Sequence, residues 1–288
     1  MYTSSVIFVV LYLLDIGIGY YLAGVGGTAF VAIALPIGIL IQMKLAIFQA
    51  DAIRLENLSS HDKNRLALAF ETVLQTAEQQ GYTFRKNPRI FLSEDETLNG
   101  FSCGNAIVIN RGLLNSGCLE GVVAHEVKHW RFHDSYCSCL ICNTITVLSL
   151  LALCMLSVYV LAIALFIGII VAIFGGGTAG FLAGSLVGRL LGRVKNLILK
   201  AGLFMMRALQ GLLSRHTELK ADEFSTRLGY GEQLKQFLRL TYESKNAMSI
   251  SAQLLSTHPS DSKRIGNIQR IQNQMAENEE IVKLPFRV

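Results

Sequence analysis

Residues 121 to 134 read GVVAHEVKHWRFHD, and this stretch decides how the rest of the chain is interpreted. His125, Glu126 and His129 form the pattern HExxH, and in a helix this spacing places both imidazoles on one face, one turn apart. Two imidazoles arranged in this way can bind one zinc ion. Glu126 is rotated by about 100° from His125, so it can reach a water molecule at the metal without being a ligand. The motif therefore predicts a zinc site with Glu126 as the general base.

A catalytic zinc site needs a third protein ligand and an open position for water. The metzincin pattern HExxHxxGxxH is absent, because Phe132 and Ser135 stand where it requires Gly and His. Between Asp134 and Glu218 the sequence contains no Asp or Glu, so Glu218 is the first carboxylate available as the third ligand. Asp222 follows one helical turn later and is suited to hold a ligand histidine through its second ring nitrogen. By themselves, two carboxylates four residues apart are also typical of an exposed helix face.

The composition indicates a membrane protein. Of the 288 residues 51% are hydrophobic and the mean hydropathy is +0.42, which is too apolar for an ordinary soluble fold. Residues 1 to 43 carry one charged side chain, Asp15, and residues 135 to 188 carry none. Two apolar blocks therefore alternate with two polar blocks, and part of the chain is expected to lie in a lipid bilayer.

Each apolar block is long enough for a transmembrane hairpin. Residues 6 to 23 and 28 to 48 are each about as long as a bilayer span and are separated by GVGG. Residues 144 to 174 form a third span, and after GGG a fourth, weaker segment continues to about residue 188. Five glycines in and around this segment repeat every four residues and predict a close helix contact: Gly176, Gly180, Gly184, Gly188 and Gly192.

Lys and Arg residues follow the first hairpin and flank the second, so the positive-inside rule predicts that both polar blocks are cytoplasmic. The expected organisation has a first hairpin (1–50), a first catalytic part with the HExxH helix (51–143), a second hairpin (144–206) and a second catalytic part with the third ligand (207–288). The expected fold is an α-helical membrane protein with four transmembrane helices in two hairpins and an α+β metallopeptidase domain.

Within the polar blocks, the patterns predict a helix over 58–81 that begins at Ser59-Ser60, and short strands at 89–93 and 106–110. The HExxH helix is expected at 116–133, and 207–280 is expected to be helical apart from a loop at 258–259. The net charge of +5 is scattered, without a basic stripe for nucleic acid. The six cysteines show no paired framework, which indicates a reducing compartment.

The order of these features resembles the HtpX-type membrane zinc metallopeptidases, which are related to the CAAX prenyl proteases of the Ste24 type. The resemblance covers nearly the whole length. It rests on a paired hairpin, HEVKH with Asp134 five residues after the second histidine, another hairpin, SRHTELKAD at 214–222 and THPSDSKRI at 257–265. It implies a gluzincin-like catalytic fold with Zn²⁺ bound by His125, His129 and Glu218, and Asp134 and Asp222 as partners of the ligand histidines.

The resemblance also implies the biological role: a multi-pass protein of the bacterial inner membrane whose cytoplasmic domain cleaves membrane or misfolded proteins in quality control and stress response. FSCGNAIVINRGLL, residues 101 to 114, resembles the segment in which an edge strand lies beside the active helix. An extended substrate can pair with such a strand by strand addition, and residues 101 to 109 are the candidate. The expected substrate-binding residues are Asn99, Phe101, Ala106, Ile107 and Val108.

His258 has two interpretations. It can stabilise the oxyanion as a second catalytic residue, since an imidazole donor near developing charge lowers the barrier. Alternatively it is a loop histidine, with Pro259 shaping the turn and Arg264 paired with an acid. The sequence gives no indication of the oligomeric state.

Other functions for the whole chain are a catalytically silent membrane protein that binds metal or partners, and a transporter. The intact Glu126 argues against the first, because a structural metal site needs no base. Few intramembrane polar residues argue against the second.

Overall fold

The computed structural model describes residues 3–243 and 259–283. Within this part of the chain there are eight α-helices and four β-strands. The helices are α1 (Thr3–Gln49), α2 (Ser60–Gln79), α3 (Arg111–Leu114), α4 (Leu119–Arg131), α5 (Asp134–Gly175), α6 (Gly177–Ser225), α7 (Gly231–Glu243) and α8 (Asp261–Lys283). The strands are β1 (Ile53–Arg54), β2 (Arg89–Ser93), β3 (Gly100–Cys103) and β4 (Ala106–Asn110).

The chain folds as two compact units. One comprises the described residues of Met1–Ile141 and Gly211–Val288, and the other is Cys142–Gln210. The first unit contains the sheet, the HExxH helix α4 and the end of α6 that carries Glu218. The second unit contains most of α5 and the first part of α6.

Helix α2 begins where the sequence predicts, because Ser59 caps it. The Ser59 hydroxyl oxygen accepts a hydrogen bond from the Asp62 backbone N–H at 3.2 Å, which satisfies one of the free donors of the first turn. The buried residues of this helix recur at helical spacing and form a single stripe: Leu66, Ala69, Phe70, Val73 and Ala77. This stripe packs into the main core.

The four strands form one mixed sheet in the order β1-β2-β4-β3. The predicted bounds of β2 and β4 are confirmed, and these two strands pair in parallel, whereas β3 and β4 pair antiparallel as a hairpin. Gly104, at φ 63°, forms the tight turn between them. The expectation of one edge strand over residues 101–109 is therefore wrong: β3 is the edge, and β4 is an interior strand.

Helix α4 is the centre of the main core. Every residue from Leu119 to Trp130 except Glu120 is buried, because α2, α7, β3 and β4 surround it. Burial of a Leu or Val side chain such as Leu119, Val123 or Val127 stabilises the fold by about 1.5–3 kcal/mol. The HExxH residues are thus held on a helix with little freedom to move.

Helix α1 turns back on itself at the start of GVGG. Gly24 has φ 60°, and the Tyr12 hydroxyl donates a hydrogen bond to the Ala32 carbonyl at 2.9 Å across the turn. A Cβ at Gly19 would lie 2.8 Å from the Gly27 carbonyl oxygen, so the two arms pack closely. The first apolar block is therefore a helical hairpin, as predicted.

Helices α5 and α6 form a second hairpin about Gly176, which has φ 86°. A Cβ at Gly180 would lie 2.5 Å from the Ala172 Cβ, and one at Gly184 would lie 3.3 Å from the Gly168 Cα. The predicted close contact along the glycine repeat is confirmed at these positions, whereas a Cβ at Gly192 would meet nothing within 4 Å.

Two helical segments in the described residues are long and apolar enough to cross a membrane, Gly24–Gln49 and Asp134–Gly175. The remaining two of the four predicted spans stay predictions.

Candidate metal centre

Three potential metal ligands converge in the first unit. His125 and His129 lie on α4, and Glu218 comes from α6, across more than eighty residues of sequence. The Nε2 atoms of the two histidines are 3.1 Å apart, and the Glu218 carboxylate oxygens lie 3.5 Å from His125 Nε2 and 3.4 Å from His129 Nε2. All three side chains are buried.

These separations fit a zinc ion. Zinc binds histidine nitrogen and carboxylate oxygen at about 2.0–2.2 Å, and in a tetrahedral site two ligand atoms are then about 3.3–3.5 Å apart. The two Nε2 atoms are 3.1 Å apart, and each has a different oxygen of the Glu218 carboxylate at 3.4 or 3.5 Å, so the observed separations are of about that size. The two nitrogens and the carboxylate are therefore a donor set that fits a zinc ion and leaves room for a fourth ligand.

A carboxylate on the far side of each ring sets the tautomer of both histidines. Asp222 Oδ1 lies 3.0 Å from His125 Nδ1, and Asp134 Oδ2 lies 2.8 Å from His129 Nδ1. Because an ionised carboxylate only accepts hydrogen bonds, both Nδ1 atoms carry a proton, and in the neutral rings that can bind a metal both Nε2 atoms present lone pairs. When both rings are neutral, the two Nε2 lone pairs face each other at 3.1 Å and repel, so either a proton or a metal cation between them stabilises the pair.

The short connection between α4 and α5 brings Asp134 to His129. His133 has φ 55°, an uncommon conformation for a residue with a side chain, and it ends the run of α4 before α5 begins at Asp134. The Asp134 carboxylate at the start of α5 then reaches the Nδ1 atom of the ligand histidine at 2.8 Å.

Arg264 also belongs to the site, although its sequence position predicts only that it pairs with an acid. On α8, its Nε and Nη2 donate to the two oxygens of Asp222 at 2.9 and 2.6 Å, and its Nη1 lies 3.7 Å from Glu218 Oε2. The spacing of residues in α8 could have indicated this position. The buried positions of α8 recur at helical spacing, and Arg264 falls between Asp261 and Ile268 on that face.

The charges around the histidines favour a divalent cation. Four buried carboxylates and two buried cations adjoin the pair, namely Glu126, Glu218, Asp222 and Asp134, and Lys128 and Arg264. With neutral histidines, the formal charge of this group is two units negative. Buried charge of one sign is costly unless it is paired, so the binding of a doubly charged metal ion stabilises this group.

Burial and the neighbouring charges shift the pKa values of the site residues. Burial alone would lower the pKa of His129, but its hydrogen bonds with Asp134 and Glu218 outweigh burial and raise the pKa to about 9. Burial raises the pKa of Glu126, although the two histidines oppose it. Burial also acts to raise the pKa of Asp222, but Arg264 and the His125 hydrogen bond hold it below its usual value.

A cavity of about 540 Å³ opens beside these residues. His125, Glu126 and Glu218 line it, and Thr97, Leu98, Asn99 and Gly100 form the wall that leads into β3. Helix α7 contributes a largely apolar part of the lining, through Leu234, Phe237, Leu238, Leu240 and Thr241. Glu126 thus shares one solvent-accessible space with two of the candidate ligands, as a general base requires.

The predicted substrate-binding residues do not all reach this cavity. Asn99 lines it, and Phe101 follows on β3, which has one edge free of the other described strands. Ala106, Ile107 and Val108 are fully buried in β4, whose backbone pairs on both sides with β2 and β3. Among the described residues they do not line the cavity, and both edges of β4 are already paired, so their contact with substrate stays a prediction without support from this arrangement. His258 lies outside the described residues.

Residues 63–272 match the model of peptidase family M48. A protease HtpX homologue from Listeria monocytogenes serotype 4b (strain CLIP80459) is 31% identical over 98 residues, which are 31% of this chain and 31% of that protein. Homologues from Leuconostoc citreum and Streptococcus agalactiae serotype Ia are 42% and 44% identical over 55 residues, 16% of this chain and 19% of each protein.

The aligned segments therefore span about a third or less of these relatives. No solved structure matches the chain.

Proposed function

The chain belongs to peptidase family M48, and we propose that it is a membrane-bound, zinc-dependent endopeptidase. One observation carries this proposal: His125, His129 and Glu218 converge with the separations of a zinc site while Glu126 lines the same cavity. Family M48 is a family of metallopeptidases, so the ligand set and the family point to the same chemistry.

A zinc ion bound by these three residues would supply Lewis-acid activation of water and of the peptide carbonyl. Glu126 would accept the proton of the attacking water and donate it to the leaving amine. Its burial supports this role, because burial raises the pKa of the carboxyl toward the pH at which a group both accepts and donates protons. Asp222 and Asp134 would keep both Nε2 lone pairs available, and Arg264 would hold Asp222 in place.

The substrate is proposed to bind as an extended segment along the edge of β3 that pairs with no other described strand. Gly100 at the start of β3 is next to α4, since a Cβ there would lie 3.5 Å from the Val122 Cγ1 atom. A substrate chain would form backbone hydrogen bonds with this edge of β3 and would then pass close to Glu126. Asn99 and Phe101 would lie beside it. The apolar wall of α7 would contact its side chains.

Membrane proteins are the proposed substrates. A small apolar cluster, comprising Ile39 and Met43 of α1, Cys103 of β3 and Leu140 of α5, joins the candidate substrate strand to both candidate membrane helices. Cys103 also donates from its thiol to the Met43 carbonyl at 3.4 Å. The cluster supports cleavage of chain segments that leave the bilayer. The charge pattern supports a catalytic domain on the cytoplasmic side, and the proposed role in quality control at a bacterial inner membrane rests on the resemblance to the HtpX-type proteases.

The test uses the full chain purified in detergent with an unstructured, casein-like substrate. We expect one zinc per chain, proteolysis that stops on chelation, and a loss of about 10²-fold or more in Glu126→Gln with zinc retained. Glu120→Gln is the matched control, because Glu120 lies on the same helix, pairs with Arg65 at 2.7 Å and does not line the cavity. A chain that binds zinc but has no activity would support the catalytically silent alternative, and an unchanged rate in Glu126→Gln would exclude Glu126 as the base.

A further inference from the structure

Lys128, inside the HExxH motif, is a buried cation that the proposed chemistry does not use. Its side chain is 8% exposed, although lysine is rarely buried unless it is paired. A buried ammonium group next to a metal ligand opposes the binding of a second cation by direct repulsion. Lys128 must therefore make other interactions that offset this repulsion of the metal ion.

The hydrogen bonds of the Lys128 ammonium group show which interactions these are. Nζ donates to Asp134 Oδ2 at 2.6 Å and to the Thr217 carbonyl at 3.2 Å. The same Oδ2 atom is 2.8 Å from His129 Nδ1, and Thr217 immediately precedes Glu218. One ammonium group thus joins the carboxylate that orients one candidate ligand to the peptide that carries another.

This link connects parts of the chain that are far apart in sequence. Lys128 and Asp134 precede the second hairpin and Thr217 follows it. A charge-assisted hydrogen bond to the Thr217 carbonyl fixes the start of the turn from which Glu218 reaches the histidines. Ligands that are fixed before the metal binds lose less conformational freedom when it does, which strengthens binding.

We propose that Lys128 is a positioning residue that fixes Glu218 relative to the two histidines, and so increases the affinity of the site for zinc. The inference rests on the proposed function, since it concerns the same metal site. The proposal predicts that removal of the ammonium group weakens zinc binding, although the removal also takes a positive charge away from the metal site. Simple electrostatic repulsion predicts the opposite change.

The experiment measures the zinc dissociation constant of the full chain in detergent, by competition with a chromophoric chelator. All variants carry Glu126→Gln, so that proteolysis does not interfere. Lys128→Met removes the charge and keeps the length of the side chain. Lys235→Met is the matched control, because Lys235 is also 8% exposed and pairs with a carboxylate, Glu232 at 2.6 Å, on α7.

We expect Lys128→Met to increase the zinc dissociation constant about 10- to 100-fold, the range for residues that hold metal ligands in place, and Lys235→Met to change it less than about threefold. The visible spectrum of the cobalt-substituted protein should change only in Lys128→Met. If Lys128→Met does not fold, Lys128→Gln replaces it under the same criteria.

An unchanged or stronger zinc affinity in the Lys128 variant would overturn the proposal, and so would an equal loss in Lys235→Met. If the parent chain itself bound no zinc, the proposed function would fail instead, so the two failures are distinguishable.

Discussion

Nδ1 of His129 lies 2.8 Å from Oδ2 of Asp134, and Asp134 is the first residue of α5, a helix long and apolar enough to cross a membrane. The hydrogen bond therefore joins a candidate metal ligand directly to the start of a candidate span. The ring orientation of His129 depends on where that helix begins.

Zinc binding should weaken as the pH falls below about 9. The partners of His129 raise its pKa to about 9, so without metal the imidazole is protonated at neutral pH and zinc must displace that proton. For one displaced proton, the apparent dissociation constant should increase about tenfold per pH unit between pH 8 and pH 6. Titration calorimetry in buffers with different ionisation enthalpies measures both the affinity and the proton release. A dissociation constant that is flat over this range would contradict the expectation.

Glu218→Ala should lose zinc, because it removes one of three converging ligands. The loss of affinity should exceed the 10- to 100-fold effect of removing a residue that only orients a ligand. Glu223→Ala serves as the control, since Glu223 lies on the same helix and forms ion pairs with Lys220 and Arg227 instead. Elemental analysis after gel filtration measures the zinc content. Full occupancy in Glu218→Ala would rule out Glu218 as the third ligand.

Gly121→Ala should destabilise the catalytic unit. A Cβ at Gly121 on α4 would lie 2.9 Å from both the Gln233 Cβ and the Leu234 backbone nitrogen of α7. Overpacking of this kind costs about 1–3 kcal/mol. Thermal unfolding should show a lower Tm for Gly121→Ala, whereas Gly117→Ala, where the nearest atom would be 3.9 Å away, should leave the Tm nearly unchanged. Equal Tm values for the two variants would disagree with this packing.

The two hairpin turns should face away from the cytoplasm. Gly24 and Gly176 have positive φ and lie between apolar segments without charge, while Lys and Arg residues cluster at the other ends. In a cysteine-free variant, an impermeant thiol reagent applied to intact cells should label a single cysteine at position 25 or 176 and miss one at 60 or 275. The reverse labelling pattern would invert the topology.

Local patterns predicted much of this architecture. Ser59 before a periodic helix and two short apolar runs were enough to locate α2, β2 and β4, because caps and periodicity depend on near neighbours. The HExxH spacing and the Glu218-Asp222 spacing selected side chains that the fold then brings together.

Non-local features were harder to predict. A run of five apolar residues indicates that β4 is buried but not which strands pair with it, so its interior place in the sheet was missed. The bidentate contact of Arg264 with Asp222 joins α8 to α6 over about forty residues, and spacing rules do not extend that far. The same holds for the Lys128 contact with Thr217.

The wide sequence separation of the three candidate ligands also sets an order of events during biosynthesis. His125 and His129 leave the ribosome first, and about ninety further residues, including all of α5 and most of α6, must be made before Glu218 follows. At about 5–20 residues per second, the nascent chain carries an incomplete ligand set for roughly 5–20 seconds. The candidate metal site is therefore complete only after both apolar blocks have been translated, so the growing polypeptide cannot bind a metal with all three ligands before that point.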